Sequence, residues 1–456
     1  MKSMFYALAL FALCNESFSA PNSESIDSLA EAIDRALLVA PKVKSLQADQ
    51  SAYRAAELAS DRLPNPEISL QLANLPIDSF SFAQEPMTQV QLGIVQPLNR
   101  GDTVELQQQV WRQKIAQSEM SLLNYRAEVK LAVSSLWFEL YRVRQQLLIV
   151  EKTKVLYAQA LQIVNARYAS AIGSARQSNV LQSQLELSRL DDDLLRLKQR
   201  EQSIVKALKA WMGDDDLANV SFDLHKQKPS INIIQQELIG LPSNEMTPLL
   251  LPLLNQHPKV QQMQQQSEIY KTQSHLAEQA HQPQWKVSAS YGHRQDDLNG
   301  MPRDDFFSVG IRFDLPIFNR SQTDQVVESA RYQVQSTKYQ VRDLIKTMLS
   351  EALVVAENYQ WNEQRQGHFQ KTLLTQAEQH AEAALTAYTN DDGSFSDALA
   401  AQAQWLKLRL QQLDLEVEQL KYQAQWNYFV SNYQVRQEQS NTSNNRKVST
   451  LEMNNG

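Results

Sequence analysis

The sequence of 456 residues has little glycine, a single cysteine and no excess of positive charge. Only 11 residues are glycine, which favours long helices over several turn-rich domains. The formal net charge is −7 and the 44 basic residues are scattered, so we do not expect nucleic acid to be a partner. The cysteine, Cys14, lies in the N-terminal segment, so a mature chain without that segment contains no disulfide. Its stability must come from packing.

Long apolar runs are missing beyond the N-terminus. Residues 1–20 contain a lysine, an apolar run and small residues near the end, which predicts a secretory signal peptide. A lipid anchor on Cys14 is the alternative, although Leu13 stands where a small residue is preferred. No later run approaches the ~20 apolar residues that a membrane-spanning helix requires. A membrane crossing would therefore have to use strands.

Motifs of enzymes and metal sites are also missing. The sequence has no glycine-rich phosphate loop and no serine or cysteine in the context of a nucleophile. His275 and His281 do not share a helix face, and His368 and His380 are twelve residues apart, so neither pair has metal-ligand spacing. We predict that the protein is not an enzyme and has no cofactor and no metal site.

The chain contains an internal duplication. Residues 257–260 repeat the His/Ala-Pro-Lys-Val pattern of residues 40–43, and residues 306–320 repeat the Gly-Ile and Pro…Asn-Arg pattern of residues 91–100. A register kept over half of a chain indicates two copies of one unit. The predicted divisions are a signal peptide at 1–20, a first repeat at 21–213, a connector at 214–246, a second repeat at 247–432 and a disordered tail at 433–456.

Each repeat contains two short segments that alternate between apolar and polar residues, for example Phe307, Val309, Ile311 and Phe313 along one face. The alternation predicts four strands per chain, at about 67–73, 88–96, 285–291 and 306–315. The proline-containing segment 73–87 indicates a mobile loop between the first two strands.

Proline-poor stretches with helical spacing follow each strand pair, and an amphipathic helix is predicted over residues 25–40. The stretches predict helical hairpins at about 101–212 and 319–432. Some 70 helical residues span about 100 Å, which is too long for an ordinary globule. The predicted fold class is mostly α with a small β part, made of duplicated strand-hairpin and helical-hairpin units.

Four strands of this length can cross a bilayer but cannot close into a barrel. An open sheet edge in lipid leaves backbone groups without hydrogen-bond partners, so other copies must complete the sheet. We predict an oligomeric β-barrel that contacts lipid, in which three copies would supply 12 strands, and a hollow α-helical bundle that continues it.

The duplicated plan, the segment Leu-Pro-Ile-Phe-Asn-Arg at 315–320, and the segment 167–173 with Asn-Val-Leu at 179–181 resemble TolC-like outer-membrane efflux proteins, over residues 25–432. The resemblance implies a trimeric exit duct in the outer membrane of a Gram-negative bacterium, with a periplasmic helical extension. It also implies a periplasmic adaptor (membrane fusion) protein and an inner-membrane efflux pump as partners.

The segments 315–322 and 65–67 resemble the heavy-metal-efflux branch, although Arg-Ser-Gln-Thr at 320–323 replaces its usual Arg-Asn-Gln-Gly. The cargo expected from this branch is heavy-metal cations or small toxic compounds. A duct for drug efflux or type I protein secretion is an alternative. A periplasmic coiled-coil scaffold protein is an alternative from a different class.

Candidate site residues fall into three groups. The resemblance implies an adaptor-docking tip, formed by Arg167, Tyr168, Gly173, Asn179, Val180, Tyr388 and Gly393. Alternation and acidic clustering suggest a pore gate or lumen surface, formed by Asp391, Asp392, Asp397, Arg312 and Asp314. The junction between barrel and helices is predicted at Pro97, Asn99, Arg100, Pro316, Asn319 and Arg320.

Plainer roles remain open for several of these residues. Gly173 is also suited to a helix C-cap, and the aspartates, Asp397 above all, are suited to helix N-termini. Trp285 and Tyr291 would fit the aromatic girdles of a lipid-facing barrel, with ordinary packing as the alternative.

Overall fold

The computed structural model describes residues 25–169, 176–213, 221–222, 228–318, 320–390 and 392–430. The predicted signal peptide and C-terminal tail lie outside this part of the chain. Within it, long helices dominate and two small sheets are present, which confirms the predicted mostly α fold class.

The first half of the chain contains two short helices, a strand pair and a long helical hairpin. Its elements are β1 (Ser25–Ile26), α1 (Leu29–Val39), α2 (Pro41–Ala59), β2 (Glu67–Ala73), β3 (Gln89–Pro97), α3 (Thr103–Ala169), α4 (Gln177–Trp211) and β4 (Ser221–Phe222). Two residue types set the start of the first helices. Ser28 accepts the backbone N–H of Glu31 at 3.2 Å as the N-cap of α1. Pro41 begins α2, where its missing N–H costs nothing.

The second half repeats this order. Its elements are α5 (Gln236–Ile239), α6 (Ser243–Asn255), α7 (Pro258–Glu278), a 3-10 turn (Gln279–His281), β5 (Trp285–His293), β6 (Phe306–Phe313), α8 (Arg320–His368), a π-helical turn (Phe369–Leu373), α9 (Leu374–Thr389) and α10 (Phe395–Phe429). The π-helical turn interrupts the long helix between α8 and α9. Such a turn inserts one residue locally and does not disturb the hydrophobic spacing enough to be read from sequence.

The helix predicted over residues 25–40 is present as α1 but starts at Leu29, and the four predicted strands are accompanied by two further short strands, β1 and β4. Ser25 and Ile26 pair in parallel with Ser221 and Phe222. The buried rings of Phe222 and Trp137 then pack edge to face, with centroids 6.1 Å apart. Strands of two residues have no periodicity, and their partners are almost two hundred residues apart, so the sequence pattern holds no signal for them.

Apolar residues are buried in three clusters spaced along the helices. The first cluster surrounds Trp137, Phe138, Leu208 and Val417; the second surrounds Met246, Leu254, Trp426 and Phe429; the third surrounds Val150, Tyr157, Leu190 and Phe395. Separate clusters are the outcome expected when rods of about 100 Å pack sideways. The helical part is therefore stabilised along its length and has no single central core.

Candidate functional site

The larger sheet joins the two repeats. Its strand order is β2-β3-β5-β6 and every neighbouring pair is antiparallel. The central pair, β3 and β5, places the last strand of the first repeat against the first strand of the second. This arrangement leaves β2 and β6 as the two edges.

One face of this sheet is apolar and exposed. Its rows, read across the sheet, are Ile68-Ile94-Ala289-Val309, Leu70-Leu92-Tyr291-Phe307, and Val287-Ile311. Ile68 and Leu70 are each 75% exposed. A contiguous exposed surface of this kind indicates contact with lipid or with another protein.

Aromatic side chains lie at both ends of the apolar face. Trp285 and Phe313 are register partners at one end, with ring centroids 4.7 Å apart. Tyr291 and Phe307 are register partners six residues farther along β5. At about 3.4 Å per residue the two pairs are ~20 Å apart, close to the height of the apolar band of a membrane barrel. The aromatic-girdle interpretation of Trp285 and Tyr291 stays a prediction.

The opposite face of the sheet is polar. Its rows are Gln71-Gln91-Gly292-Phe306, Ser69-Gly93-Ser290-Ser308, Glu67-Val95-Ser288-Gly310, and Pro97-Lys286-Arg312, so most of its members are polar or glycine. Nζ of Lys286 lies 3.5 Å from Oε1 of Glu67, across the intervening strand. Arg312 lies on this polar face, the one that the sequence assigned to the lumen. Sequence reasoning missed Glu67 and Lys286, although alternation along β2 and β5 could have found them.

The loops beyond β2 and β5 are tied together. Arg294 donates to the carbonyl oxygen of Pro86 at 3.2 Å, and Arg303 donates to that of Glu85 at 3.0 Å. Asp305 accepts the backbone N–H of Arg294 at 2.9 Å. The sequence predicted a mobile loop over residues 73–87, whereas the structure gives it defined partners in the second repeat.

Arg100 connects the two repeats at the end of the strands. Its Nη1 donates to the carbonyl oxygens of Ala280 at 3.1 Å and Gln282 at 3.0 Å, and its Nη2 contacts the carboxylate of Asp314. Asp314 also accepts the backbone N–H of Gln284 at 2.5 Å. The carboxylate of Asp314, which alternation assigned to the lumen, is therefore bound within the junction.

The predicted junction prolines lie between strands and long helices. Pro97 is the last residue of β3, six residues before α3, and Pro316 follows β6 and precedes α8. Arg320 is the first residue of α8, and Asn99 lies between β3 and α3. Asn319 lies outside the described residues.

We expect Arg100→Ala to lower the free energy of unfolding by about 1–2 kcal/mol, because it removes charge-assisted hydrogen bonds at a partly exposed site. Arg320→Ala is the matched control, since Arg320 is the duplicate of Arg100 and is exposed. Urea denaturation followed by circular dichroism measures both variants. Equal losses for the two would contradict a special role of Arg100.

The ends of the two long hairpins contact each other through Arg167. Its Nη1 and Nη2 donate to the carbonyl oxygens of Tyr388 at 3.1 Å and Thr389 at 2.9 Å. Its guanidinium also lies 4.9 Å from the centroid of the Tyr388 ring. Two of the predicted tip residues are thus brought together, and neighbouring Tyr168 is exposed.

The other predicted tip and gate residues surround this contact. Gly393 packs so closely on α9 that a Cβ would lie 2.9 Å from the Cβ of Ala387, so a larger residue would force the turn to shift. Asn179 and Val180 lie in the first turn of α4. The backbone N–H of Asp392 donates to the carbonyl oxygen of Ala387 at 2.9 Å. The backbone N–H of Asp397 donates to Oγ of Ser394 at 3.1 Å, which fits the helix-start interpretation of Asp397. Gly173 and Asp391 lie outside the described residues.

The described part of the chain lacks both a cluster of metal-ligating side chains and a helix suited to span a membrane. It contains no group of three or more histidine, cysteine, aspartate or glutamate side chains placed to hold a metal ion. None of its helices is long and apolar enough to cross a membrane.

The second repeat is similar to a known protein family. Residues 249–427, which cover most of the second repeat, match the family model of the outer membrane efflux proteins. The match covers less than half of the chain and shows a similarity of its second repeat to these proteins.

Three solved structures show the same fold. The outer-membrane channel OprN is 14% identical with a TM-score of 0.71, and the alignment covers 89% of this chain and 90% of OprN. The outer membrane protein VceC of Vibrio cholerae is 16% identical with a TM-score of 0.71, covering 88% and 95%. The outer membrane channel CmeC of Campylobacter jejuni is 15% identical with a TM-score of 0.69, covering 94% of each chain.

Curated protein sequences contain no significant match to this chain. The family match and the shared fold do not separate the branches of the family. The heavy-metal-efflux branch therefore stays a prediction.

Proposed function

We propose that this chain is the passive outer-membrane exit duct of a tripartite efflux system and assembles as a homotrimer. The observation that carries the proposal is the four-stranded sheet with one apolar face, one polar face and two edges that pair with no further strand of the described residues. In lipid, such a sheet satisfies its backbone only when further copies close it. Three copies make a 12-stranded barrel with a polar interior.

The long helices extend the duct away from the membrane. The 67 residues of α3 span about 100 Å, roughly three times the hydrocarbon thickness of a bilayer. Because α3 starts beside the junction end of the sheet, most of this length projects into the periplasm. The surface around the Arg167–Tyr388 contact lies at the far end of the helices. We expect a periplasmic adaptor to dock there and to connect the duct to an inner-membrane pump.

The alternative of a periplasmic coiled-coil scaffold does not account for the sheet. A scaffold in water does not require an exposed apolar face flanked by aromatic pairs. The cargo that we propose is heavy-metal cations or small toxic compounds, which rests on the resemblance of residues 315–322 to the heavy-metal branch. Drugs or secreted polypeptides are the alternatives.

Localisation and assembly can be tested directly. Outer-membrane fractions should contain a heat-modifiable oligomer that runs as a trimer on gels without boiling and as a monomer after boiling. Recovery of a soluble periplasmic monomer would support the scaffold instead.

Cargo can be tested in a deletion strain challenged with copper, zinc, silver, detergents and dyes. We expect loss of tolerance to metals, restored by the wild-type gene. Sensitivity confined to detergents and dyes would favour drug efflux, and unchanged tolerance to every compound would contradict an efflux duct for small cargo.

We expect Arg167→Ala to reduce tolerance to the same compounds at least several-fold, because it releases the two hairpin ends from each other. Arg189→Ala is a matched control on α4, since Arg189 is exposed and its ion pair among the described residues is with Glu186 on its own helix. Trimer levels in the outer membrane should be equal for both variants. A normal efflux phenotype of Arg167→Ala at normal trimer levels would remove Arg167 from the docking surface.

A further inference from the structure

The two edge strands of the sheet, β2 and β6, have polar and apolar faces that define how a second copy can pair with them. We infer that β6 pairs antiparallel with β2 of the next copy, with Arg312 opposite Ser69 of the partner subunit and beside Glu67 of the partner subunit. This inference rests on the proposed trimeric barrel and adds the register and the ion pair that close it.

The two strand hairpins, β2–β3 and β5–β6, are equivalent. In the first hairpin Ser69 pairs with Gly93, and in the second Ser288 pairs with Gly310. Both glycines leave room for the serine, since a Cβ would lie 2.6 Å from Oγ of Ser69 or 3.0 Å from Oγ of Ser288. The shared Ser-Gly pair aligns the hairpins residue by residue.

This alignment assigns equivalent positions near the junction. Glu67 pairs with Val95 in the first hairpin, and Lys286 pairs with Arg312 in the second. Glu67 therefore corresponds to Lys286, and Val95 corresponds to Arg312.

The observed pairing of β3 with β5 then predicts the pairing between copies. Both contacts join the second strand of one repeat to the first strand of the following repeat. Val95 lies opposite Ser288 in the β3–β5 pair. Replacing each residue by its equivalent puts Arg312 opposite Ser69 of the partner subunit, and Ile311 opposite Leu70 of the partner subunit.

The faces of the strands provide an independent check. The derived register places Phe313 opposite Ile68 of the partner subunit, and Val309 opposite Leu72 of the partner subunit, so apolar side chains meet along the whole contact. Their exposure in the single copy agrees with this, since all four are exposed. A slip by one residue would put every one of these side chains opposite a polar face.

Complementary charges also favour this register of β6 against β2 of the next copy. Glu67 of the partner subunit lies two residues from Ser69 along β2, so it is a diagonal neighbour of Arg312, within reach of a long side chain. Arg312 is exposed, and no carboxylate of the described residues forms an ion pair with it. The same register places Asp314 directly opposite Glu67 of the partner subunit, but Arg100 and the N–H of Gln284 already bind the Asp314 carboxylate.

The resulting charges form a ring at the junction end of the barrel. Within one copy, Glu67 reaches Lys286 over the short side chain of Val95 at 3.5 Å. Between copies, Arg312 occupies the position equivalent to Val95, and its guanidinium reaches towards Glu67 of the partner subunit. Each Glu67 then meets a lysine from its own chain and an arginine from the neighbouring chain.

Disulfide cross-linking tests the register. Leu70→Cys combined with Ile311→Cys should give covalent dimers and trimers on non-reducing gels after mild oxidation of outer-membrane fractions. The slipped pair, Leu72→Cys with Ile311→Cys, should cross-link several-fold less, and each single variant should give no ladder. A stronger ladder from the slipped pair would overturn the register while leaving the trimeric duct intact. A wild-type protein that never runs as an oligomer would overturn both.

A double-mutant cycle tests the ion pair. Glu67→Gln and Arg312→Gln should each lower the temperature at which the trimer dissociates in SDS, and the combined variant should lower it no more than the larger single effect. Additive shifts, or no shift from Arg312→Gln, would overturn the contact between Arg312 and Glu67 of the partner subunit. Arg320→Gln combined with Glu67→Gln is the control, for which additive shifts are expected.

Discussion

Replacing Trp426 by alanine is expected to lower the free energy of unfolding by about 3–5 kcal/mol. The Trp426 side chain is fully buried in the second apolar cluster, among Met246, Leu250 and Leu254 of α6. Its indole Nε1–H also donates to the carbonyl oxygen of Ile234 at 2.9 Å. The variant therefore leaves a large cavity and a carbonyl without its donor, and each of these costs free energy.

Trp426→Phe separates the two contributions. It keeps most of the apolar volume and removes the hydrogen bond, so a loss of about 1–2 kcal/mol is expected. Urea denaturation of the purified protein, followed by circular dichroism of the helices, measures both variants. Equal losses for phenylalanine and alanine would show that the hydrogen bond dominates, against the packing argument.

Acidification between pH 6.5 and pH 4 is expected to destabilise the protein through His257. This side chain is fully buried at the start of α7. Its Nδ1 accepts the backbone N–H of Lys259 at 3.2 Å, and its Nε2–H donates to the carbonyl oxygen of Tyr428 at 2.9 Å. Both ring nitrogens are thus used by the neutral form, and protonation of Nδ1 would break the bond to Lys259.

Burial lowers the pKa of His257 to about 4, against the opposing hydrogen bond to Tyr428 and with a smaller contribution from the charge of Lys259. The unfolded chain takes up this proton near the ordinary pKa of about 6.5. The unfolded state therefore binds more protons between these values, and the free energy of unfolding falls as the pH decreases. The expected loss is about 2 kcal/mol at pH 5 and about 3 kcal/mol below pH 4.

His257→Asn removes the titrating group and keeps an acceptor for the N-cap. We expect this variant to be less stable at pH 7 but to show a flatter dependence of unfolding free energy on pH between 6.5 and 4. His380→Gln on the exposed side of α9 is the control and should keep the wild-type slope. An unchanged slope in His257→Asn would assign the acid sensitivity to other groups.

Much of the fold could be predicted because it depends on neighbours in sequence. The alternation of Phe307, Val309, Ile311 and Phe313 assigns one face of a strand without knowledge of its partner. The proline-free spacing between residues 101 and 170 likewise predicts a helix too long for a globule. The duplication then supplied the number of strands in the main sheet.

The candidate site was predictable only in part. Alternation placed Arg312 on the polar face, where the structure has it. The same rule assigned the Asp314 carboxylate to the lumen, yet Arg100, more than two hundred residues away, binds it at the junction. The contact of Arg167 with Tyr388 is also long-range, and nothing in the spacing of either hairpin indicates it.

By itself, the sequence determined the duplicated order of elements, the faces of the strands and the length of the rods, because periods of 2 and 3.6 residues are local properties of the backbone. Tertiary structure alone decided which edges stay open, which charges are paired within one chain, and where β1 meets β4. These outcomes depend on contacts between distant segments, whose distances and partners are set only when the helices and strands have packed.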